Sequence, residues 1–291
     1  MNEVLNQAIV SGLLIGGLYA VMSVGISLTW GALKIINLAH FSFILLGAYA
    51  TYQVSNSLEI DPLLALLFVL PAGFLAGVIL QIFFEFAKVD EFQSLIISFG
   101  LFIILQSITR TLWTADFRRI DGANNPYESM SFFIGDIAVQ VAPLLAFAAA
   151  TGIAIGMHLL LTRSYFGKAV RAIVDDPEIA RAYGIDVRRV AVILSGLATS
   201  FSAAAGVFIA SYQSLTPNMS LGWFGIVFPV VILGGLGNAV GALGAGVIVG
   251  VAAGIATTQW GPLSAPLVTF LIMIAALLFR PQGLFTRQGS A

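Results

Sequence analysis

The chain contains no cysteine and very little charge. With no cysteine among its 291 residues, it cannot carry a disulfide framework, a thiol nucleophile or a thiolate metal site. Only 9% of the residues are Asp, Glu, Lys or Arg, which is too few to cover the surface of a soluble globule of this size. The net charge of -1, without any tract of basic residues, gives no indication of a nucleic-acid partner.

Apolar residues are abundant instead, at 59% of the chain, and the mean hydropathy is +0.98. Several runs are long enough to cross the roughly 30 Å hydrocarbon core of a bilayer. The sequence therefore predicts an all-α fold, a polytopic transmembrane helix bundle forming one domain over residues 1–291. About nine membrane segments (8–10) are expected, near residues 5–29, 38–56, 62–84, 93–113, 138–160, 189–212, 219–236, 239–258 and 264–279.

The second of these segments begins with polar residues. Gly31, Lys34, Asn37, His40 and Ser42 lie at its start, and such residues favour an interrupted helix inside a membrane. We therefore predict that this segment is broken.

The basic residues are distributed unevenly over the connections between segments. If the loop at about 161–188 is cytoplasmic, all but three of the thirteen Lys and Arg residues lie inside, the exceptions being Arg110, Arg118 and Arg119. The inside set is Lys34, Lys88, Arg163, Lys168, Arg171, Arg181, Arg188, Arg189, Arg280 and Arg287. This asymmetry predicts an amino terminus outside and a carboxyl terminus in the cytoplasm. The loop at about 114–137 is then periplasmic, either as a docking surface or as a plain solvated connection.

Small residues recur every fourth position in the eighth segment, at Ala242, Gly246, Gly250 and Gly254. They form a flat stripe that lets another backbone approach closely, and Gly12 and Gly16 repeat the spacing in the first segment. Packing within the chain, a subunit interface and a translocation path all remain open as roles for the stripe.

The loop at about 161–188 contains a short charged helix signal. Asp176 can cap a helix, Pro177 suits the first turn, and Glu178 complements the positive end of the helix dipole. Gly184 can end the helix after about two turns. Ile179 and Tyr183 are four residues apart and share a face, whereas Arg181 points elsewhere. A helix this short requires a partner for stability, either another protein or the bilayer and its own bundle.

Other polar residues inside the segments are candidates for a translocation path, namely Asn37, His40, Ser42, Ser98 and Gln106. For Ser98 and Gln106 the alternative role is hydrogen bonding between helices, and for His40 it is a hydrogen bond to a backbone carbonyl beside a kink. No Asp or Glu falls in the middle of a segment, so the carboxylate chain of a proton-driven carrier is missing. A facilitator and a Na⁺-coupled carrier remain as alternatives. No metal site is predicted, since the two histidines, His40 and His158, are far apart and no HExxH motif occurs.

Several motifs together resemble a known family. Residues 178–184 (EIARAYG) are similar to the pattern Glu-Ala-Ala, three residues, Gly of the coupling loop in ABC importer permeases. Ile179 stands in place of the first Ala of this pattern, and Ala180 matches its second Ala. Further matching stretches are 12–20 (GLLIGGLYA), 33–40 (LKIINLAH), 47–49 (GAY), 171–172 (RA) and 234–238 (GGLGN). In this combination the chain resembles branched-chain amino acid ABC permeases of LivH type. One departure is Phe41-Ser42, where such proteins often have Gly followed by Asp or Glu.

The resemblance implies a non-catalytic permease subunit in the bacterial inner membrane, importing branched-chain amino acids or related small polar solutes such as urea, amides and small carboxylates. It implies a second LivM-like permease, two cytoplasmic ATPase subunits and a periplasmic binding protein as partners. ATP and Mg²⁺ would be bound by the ATPases, because Gly167-Lys168 here lacks the rest of a Walker A loop. The residues carried over as the coupling helix are Asp176, Pro177, Glu178, Ile179, Ala180, Arg181, Tyr183 and Gly184.

Overall fold

The computed structural model describes residues 2–280 and 283–285, and helices form most of it. Arg287, one of the predicted cytoplasmic residues, lies outside the described residues. The elements in order are α1 (Asn2–Leu33), α2 (His40–Leu58), a 3-10 turn (Pro62–Ala65), α3 (Leu66–Phe86), α4 (Glu91–Trp113), β1 (Ser131–Ile134), β2 (Ile137–Gln140), α5 (Val141–Arg163), α6 (Tyr165–Asp175), α7 (Pro177–Ala182), α8 (Val187–Tyr212), α9 (Met219–Gly234), α10 (Ala239–Trp260) and α11 (Ser264–Phe279).

Each of the nine apolar segments expected from the sequence overlaps one of these helices. Within the described residues, six helical stretches are long and apolar enough to cross a membrane: 3–33, 62–86, 91–113, 141–163, 187–212 and 239–260. The helices α9 and α11 are apolar but only 16 residues long, and α2 is not among the six. The fold is thus an all-α polytopic bundle.

The second segment is not broken internally, so this prediction was wrong in its detail. Residues 34–37 are not helical, Lys34 has a left-handed backbone with φ of 53°, and α2 then runs without interruption from His40 to Leu58. The stretch before α2 can remain irregular because side chains of α4 accept hydrogen bonds from its backbone amides. Ser94 of α4 accepts a hydrogen bond from the Ile36 amide (3.2 Å), and Ser98 accepts one from the Leu38 amide (2.9 Å).

The centre of the bundle is formed by α8 and α2. A methyl group added to Gly206 of α8 would lie 2.3 Å from the Ile44 carbonyl oxygen, and one added to Gly47 of α2 would lie 2.3 Å from that of Ala203. Only glycine permits this approach of two backbones. Because α2 is enclosed by protein, it needs no apolar exterior, which is why it carries more polar residues than the six long spans.

The glycine stripe of α10 packs against α1. A Cβ on Gly250 would lie 2.3 Å from the Gly12 carbonyl oxygen, one on Gly246 would lie 2.4 Å from that of Gly16, and one on Gly254 would lie 2.8 Å from that of Ala8. The two stripes face each other along several helical turns, so this contact lies within the chain.

A two-stranded hairpin, absent from the sequence prediction, precedes α5. Strands β1 and β2 pair antiparallel, with Ser131 opposite Gln140 and Ile134 opposite Ile137, so α5 begins later than expected. The preceding loop is fastened by a hydrogen bond from the Tyr127 hydroxyl to Asp61. Burial, followed by that bond, raises the pKa of Tyr127 to about 12, so its hydroxyl stays protonated and can donate. We call this end of the bundle the hairpin end, and the opposite end, beyond α5, the α7 end.

Candidate functional site

The α7 end carries two helices between α5 and α8. The first, α6, was not predicted from the sequence; Ser164 caps it by accepting a hydrogen bond from the Gly167 amide at 3.0 Å. The second, α7, has its cap at Asp176, whose Oδ1 accepts from the amides of Glu178 (2.8 Å) and Ile179 (2.9 Å). Pro177 occupies the first turn, which has no need of its missing N–H. The helix ends at Ala182, and Gly184 follows with φ of 83°.

The two faces of α7 have different surroundings. Ala180 is 2% exposed and packs with Val170 and Ile173 of α6 and with Val190 of α8. On the opposite side, Ile179 is 56% exposed and Tyr183 is 84% exposed. The inner face of α7 is therefore stabilised by α6 and α8 of its own bundle, and the apolar outer face is exposed.

A cavity of about 650 Å³ lies between α7 and the ends of α1 and α3. Charged side chains line it: Lys34, Glu85, Lys88, Arg181, Asp186 and Arg188. The Arg188 Nε lies 2.9 Å from Glu85 Oε2, and Gln81 Nε2 donates to Glu85 Oε1 at 3.3 Å. This ion pair joins the first turn of α8 to the last turn of α3, so it connects the α7 region to the membrane helices.

The five predicted path residues are all buried, and hydrogen bonds to other parts of the bundle engage four of them. Ser98 binds the irregular stretch before α2, and Ser42 donates to the Phe102 carbonyl at 2.9 Å. Gln106 donates to the Pro217 carbonyl (3.0 Å). Asn37 differs, because its side-chain oxygen has no partner among the described residues. None of the five lines the large cavities at either end.

His40 joins three helices. Its Nε2 lies 2.8 Å from the Met22 carbonyl of α1, and its Nδ1 lies 2.8 Å from the Ser202 hydroxyl of α8. A carbonyl only accepts hydrogen bonds, so Nε2 carries the proton and Nδ1 accepts from Ser202. Both ring nitrogens are therefore used between helices.

The departure at Phe41-Ser42 has a structural counterpart. Phe41 is fully buried and stacks on Phe224 of α9, with 4.0 Å between ring centroids. Phe102 of α4 meets the same Phe224 ring edge-on at 5.3 Å. An aromatic cluster and a serine hydrogen bond thus occupy positions 41 and 42.

Sequence reasoning missed a second cavity, of about 540 Å³, at the hairpin end. It lies between α1 and α10 and is lined by polar side chains that include Gln7, Ser11, Tyr19 and Thr257. From the sequence alone, packing of the glycine stripe against the first segment is one of three alternatives, and the exposure of the polar neighbours to one cavity depends on the packed bundle.

Comparison with known proteins identifies the family. The family model described as branched-chain amino acid transport system / permease component matches residues 8–278. The chain belongs to this family. It is therefore a multi-pass permease of the bacterial inner membrane, of the branched-chain amino acid transport type.

Curated relatives extend over nearly the whole chain. It is 24% identical to the high-affinity branched-chain amino acid transport system permease protein BraD of Pseudomonas aeruginosa, covering 97% of this chain and 95% of the relative. It is 24% identical to the LivH permease protein of Salmonella typhimurium, with the same coverage. A probable LivH of Methanocaldococcus jannaschii is also 24% identical, over 98% of this chain and 94% of the relative. No solved structure matches the chain.

Proposed function

We propose that this permease is the membrane subunit of an ATP-driven importer and that α7 couples it to a separate ATPase. The observation that carries the proposal is the two-sided packing of α7. Its inner face is fixed to α6 and α8 through Ala180, and its outer face presents Ile179 and Tyr183 to solvent. A short helix with an anchored base and an exposed apolar side is suited to transmit force from a docked protein.

Membership of the family supports the assembly that we propose. Two cytoplasmic ATPases bind ATP and Mg²⁺, a second LivM-like permease pairs with this one, and a periplasmic binding protein delivers the solute. The α7 end then faces the cytoplasm and the hairpin end faces the periplasm. The solute is a branched-chain amino acid or a related small polar molecule.

The test is made on the complete transporter, co-expressed and purified through a tag on this chain. The double variant Ile179→Asp/Tyr183→Ala removes the apolar face of α7 without touching Ala180. A buried interface residue typically contributes about 1–3 kcal/mol, so ATPase recovery is expected to fall by about tenfold or more, and uptake into proteoliposomes is expected to stop.

Tyr165→Ala is the matched control, because Tyr165 is equally exposed at 88% but lies on α6. It is expected to retain the ATPase. Normal ATPase recovery with full ATP-dependent uptake by the double variant would reject the coupling role of α7. Uptake that continues without any ATPase would identify a facilitator instead.

A further inference from the structure

The cleft at the hairpin end is deep. Its lining on α1 extends from Glu3 to Tyr19, which is about 24 Å along the helix axis. The opposite wall is formed by α10 from Gly250 to Thr258, and Ala265 of α11 closes one side. The cleft therefore starts at the surface of the bundle and reaches well into the membrane-spanning part.

The base of the cleft is rigid. Gly12, Gly250 and Gly254 line it, and they belong to the contact in which the backbones of α1 and α10 touch. Two helices packed so closely cannot approach further, so the cleft is preformed. Its volume of about 540 Å³ lies within the range of small-molecule sites.

Several polar side chains line the cleft. Ser11 accepts from Gln7 at 2.9 Å, and Thr258 donates to the Gly254 carbonyl at 2.9 Å. The side chains of Tyr19 and Thr257 also line the cleft. Polar groups next to hydrocarbon are stabilised by water or a polar ligand, and an open cleft admits both.

The mouth of the cleft is acidic. Glu3 and Asp136 line it, and no Lys, Arg or His is among the lining residues described. Asp136 is in the turn of the hairpin, which is held on α1 by Gln7: its amide oxygen accepts from the Ala138 N–H and its amide nitrogen donates to the Ala138 carbonyl, both at 2.8 Å. The hairpin thus fixes a carboxylate at the mouth.

We propose that this cleft is the route by which the transported solute enters the subunit, and that its acidic mouth favours solutes that are neutral or carry an ammonium group over net anions. The proposal rests on the proposed function for its direction of transport. The cleft would thus discriminate among small polar solutes. Amino acids and amides can enter, whereas carboxylates without an amine are repelled by the carboxylates at the mouth.

Access to the cleft can be measured by labelling a single introduced cysteine, because the chain has no cysteine of its own. This measurement does not require transport. Thr257→Cys in the assembled transporter is treated with membrane-impermeant methanethiosulfonates, one bearing a trimethylammonium group and one a sulfonate. Relative to a cysteine in solution, the cationic reagent is expected to be favoured by roughly tenfold. Adding Glu3→Gln and Asp136→Asn to the Thr257→Cys variant is expected to remove the preference for the cationic reagent. Ser107→Cys, on the exposed outer face of α4, is the control and is expected not to react.

A second measurement uses uptake. Thr257→Val and Tyr19→Phe keep the shape of each side chain and remove one hydroxyl, and each is expected to lower uptake several-fold while ATPase recovery stays normal. Thr111→Val, on the exposed face of α4 toward the same end, is the matched control and is expected to transport normally.

The outcomes separate the two proposals. An unreactive Thr257→Cys in a transporter that works would show that lipid or another subunit fills the cleft, and would overturn this inference while leaving the coupling role of α7 intact. Equal reaction with both reagents would overturn the selectivity for charge. Normal uptake by both hydroxyl variants would overturn the role of the cleft in transport.

Discussion

Gly25 sets the distance between α1 and the residues around His40. A Cβ at this position would lie 2.3 Å from His40 Cε1 and 2.4 Å from the Ala198 carbonyl oxygen. Gly25→Ala is therefore expected to separate α1 from α2 and α8 and to lower stability by roughly 1–3 kcal/mol, the usual effect of overpacking. The measurement is the thermal unfolding midpoint of the purified transporter in detergent.

Gly156→Ala is the control for this prediction. Gly156 lies in α5, and nothing stands within 4 Å of the position that its Cβ would take. Alanine is the better helix former by roughly 0.5–1 kcal/mol, so this variant is expected to be as stable as the parent or more so. Equal melting of the two variants would mean that the close contact at Gly25 is not needed.

Single polar residues show the limit of sequence reasoning at this scale. The chain alone indicated that Ser98 and His40 are unusual in a membrane, but not which atoms they meet. Ser98 supports an irregular backbone from sixty positions away, and His40 needs Ser202 of α8 as a partner. Tyr19 and Thr257 line the cleft at the hairpin end only because α1 and α10 pack together, and the sequence does not specify that packing.

The ion pair between Arg188 and Glu85 joins α8 to α3 at the α7 end, in addition to the close packing of the two helices. Arg188 is largely exposed, so the pair is expected to add at most about 1 kcal/mol to stability. Its position suggests a mechanical role instead. Arg188→Gln and Glu85→Gln are expected to leave the complex assembled while lowering the amount of solute imported per ATP hydrolysed several-fold, as measured in proteoliposomes.

Arg189 provides a matched control, since its partner among the described residues is Asp186, three residues before it, at 2.8 Å. Arg189→Gln is expected to keep normal coupling. The exchanged pair Arg188→Glu/Glu85→Arg is expected to recover part of the coupling lost in the single variants. If Arg188→Gln and Arg189→Gln behave alike, the link between α8 and α3 has no special role.

Among the elements, the long apolar helices could be predicted and the short ones could not. The nine segments followed from apolar length alone. The helix α6 was missed although Phe166, Val170 and Ile173 have the spacing of one helical face, because the charged residues around them were interpreted as a loop. The hairpin was missed although Gly135-Asp136 stands between two short runs rich in apolar residues, which is a signal for a two-residue turn.

At the scale of the whole molecule, the bundle has two chemically different ends. Helix α5 is a 23-residue apolar helix with the hairpin before it and α6 after it, so these two features lie on opposite sides if α5 crosses the membrane. The cytoplasmic end is assigned from the distribution of Lys and Arg, because the packing of the helices is the same in either orientation across the membrane.

The orientation is testable by labelling single cysteines with an impermeant maleimide in intact cells. Ser129 is exposed beside the hairpin, and Lys168 is exposed on α6. Because the basic residues concentrate at the α7 end, Ser129→Cys is expected to react from outside, and Lys168→Cys is expected to react only after the membrane is opened. The reverse pattern would invert the orientation, and labelling of both from outside would show that α5 does not cross the membrane.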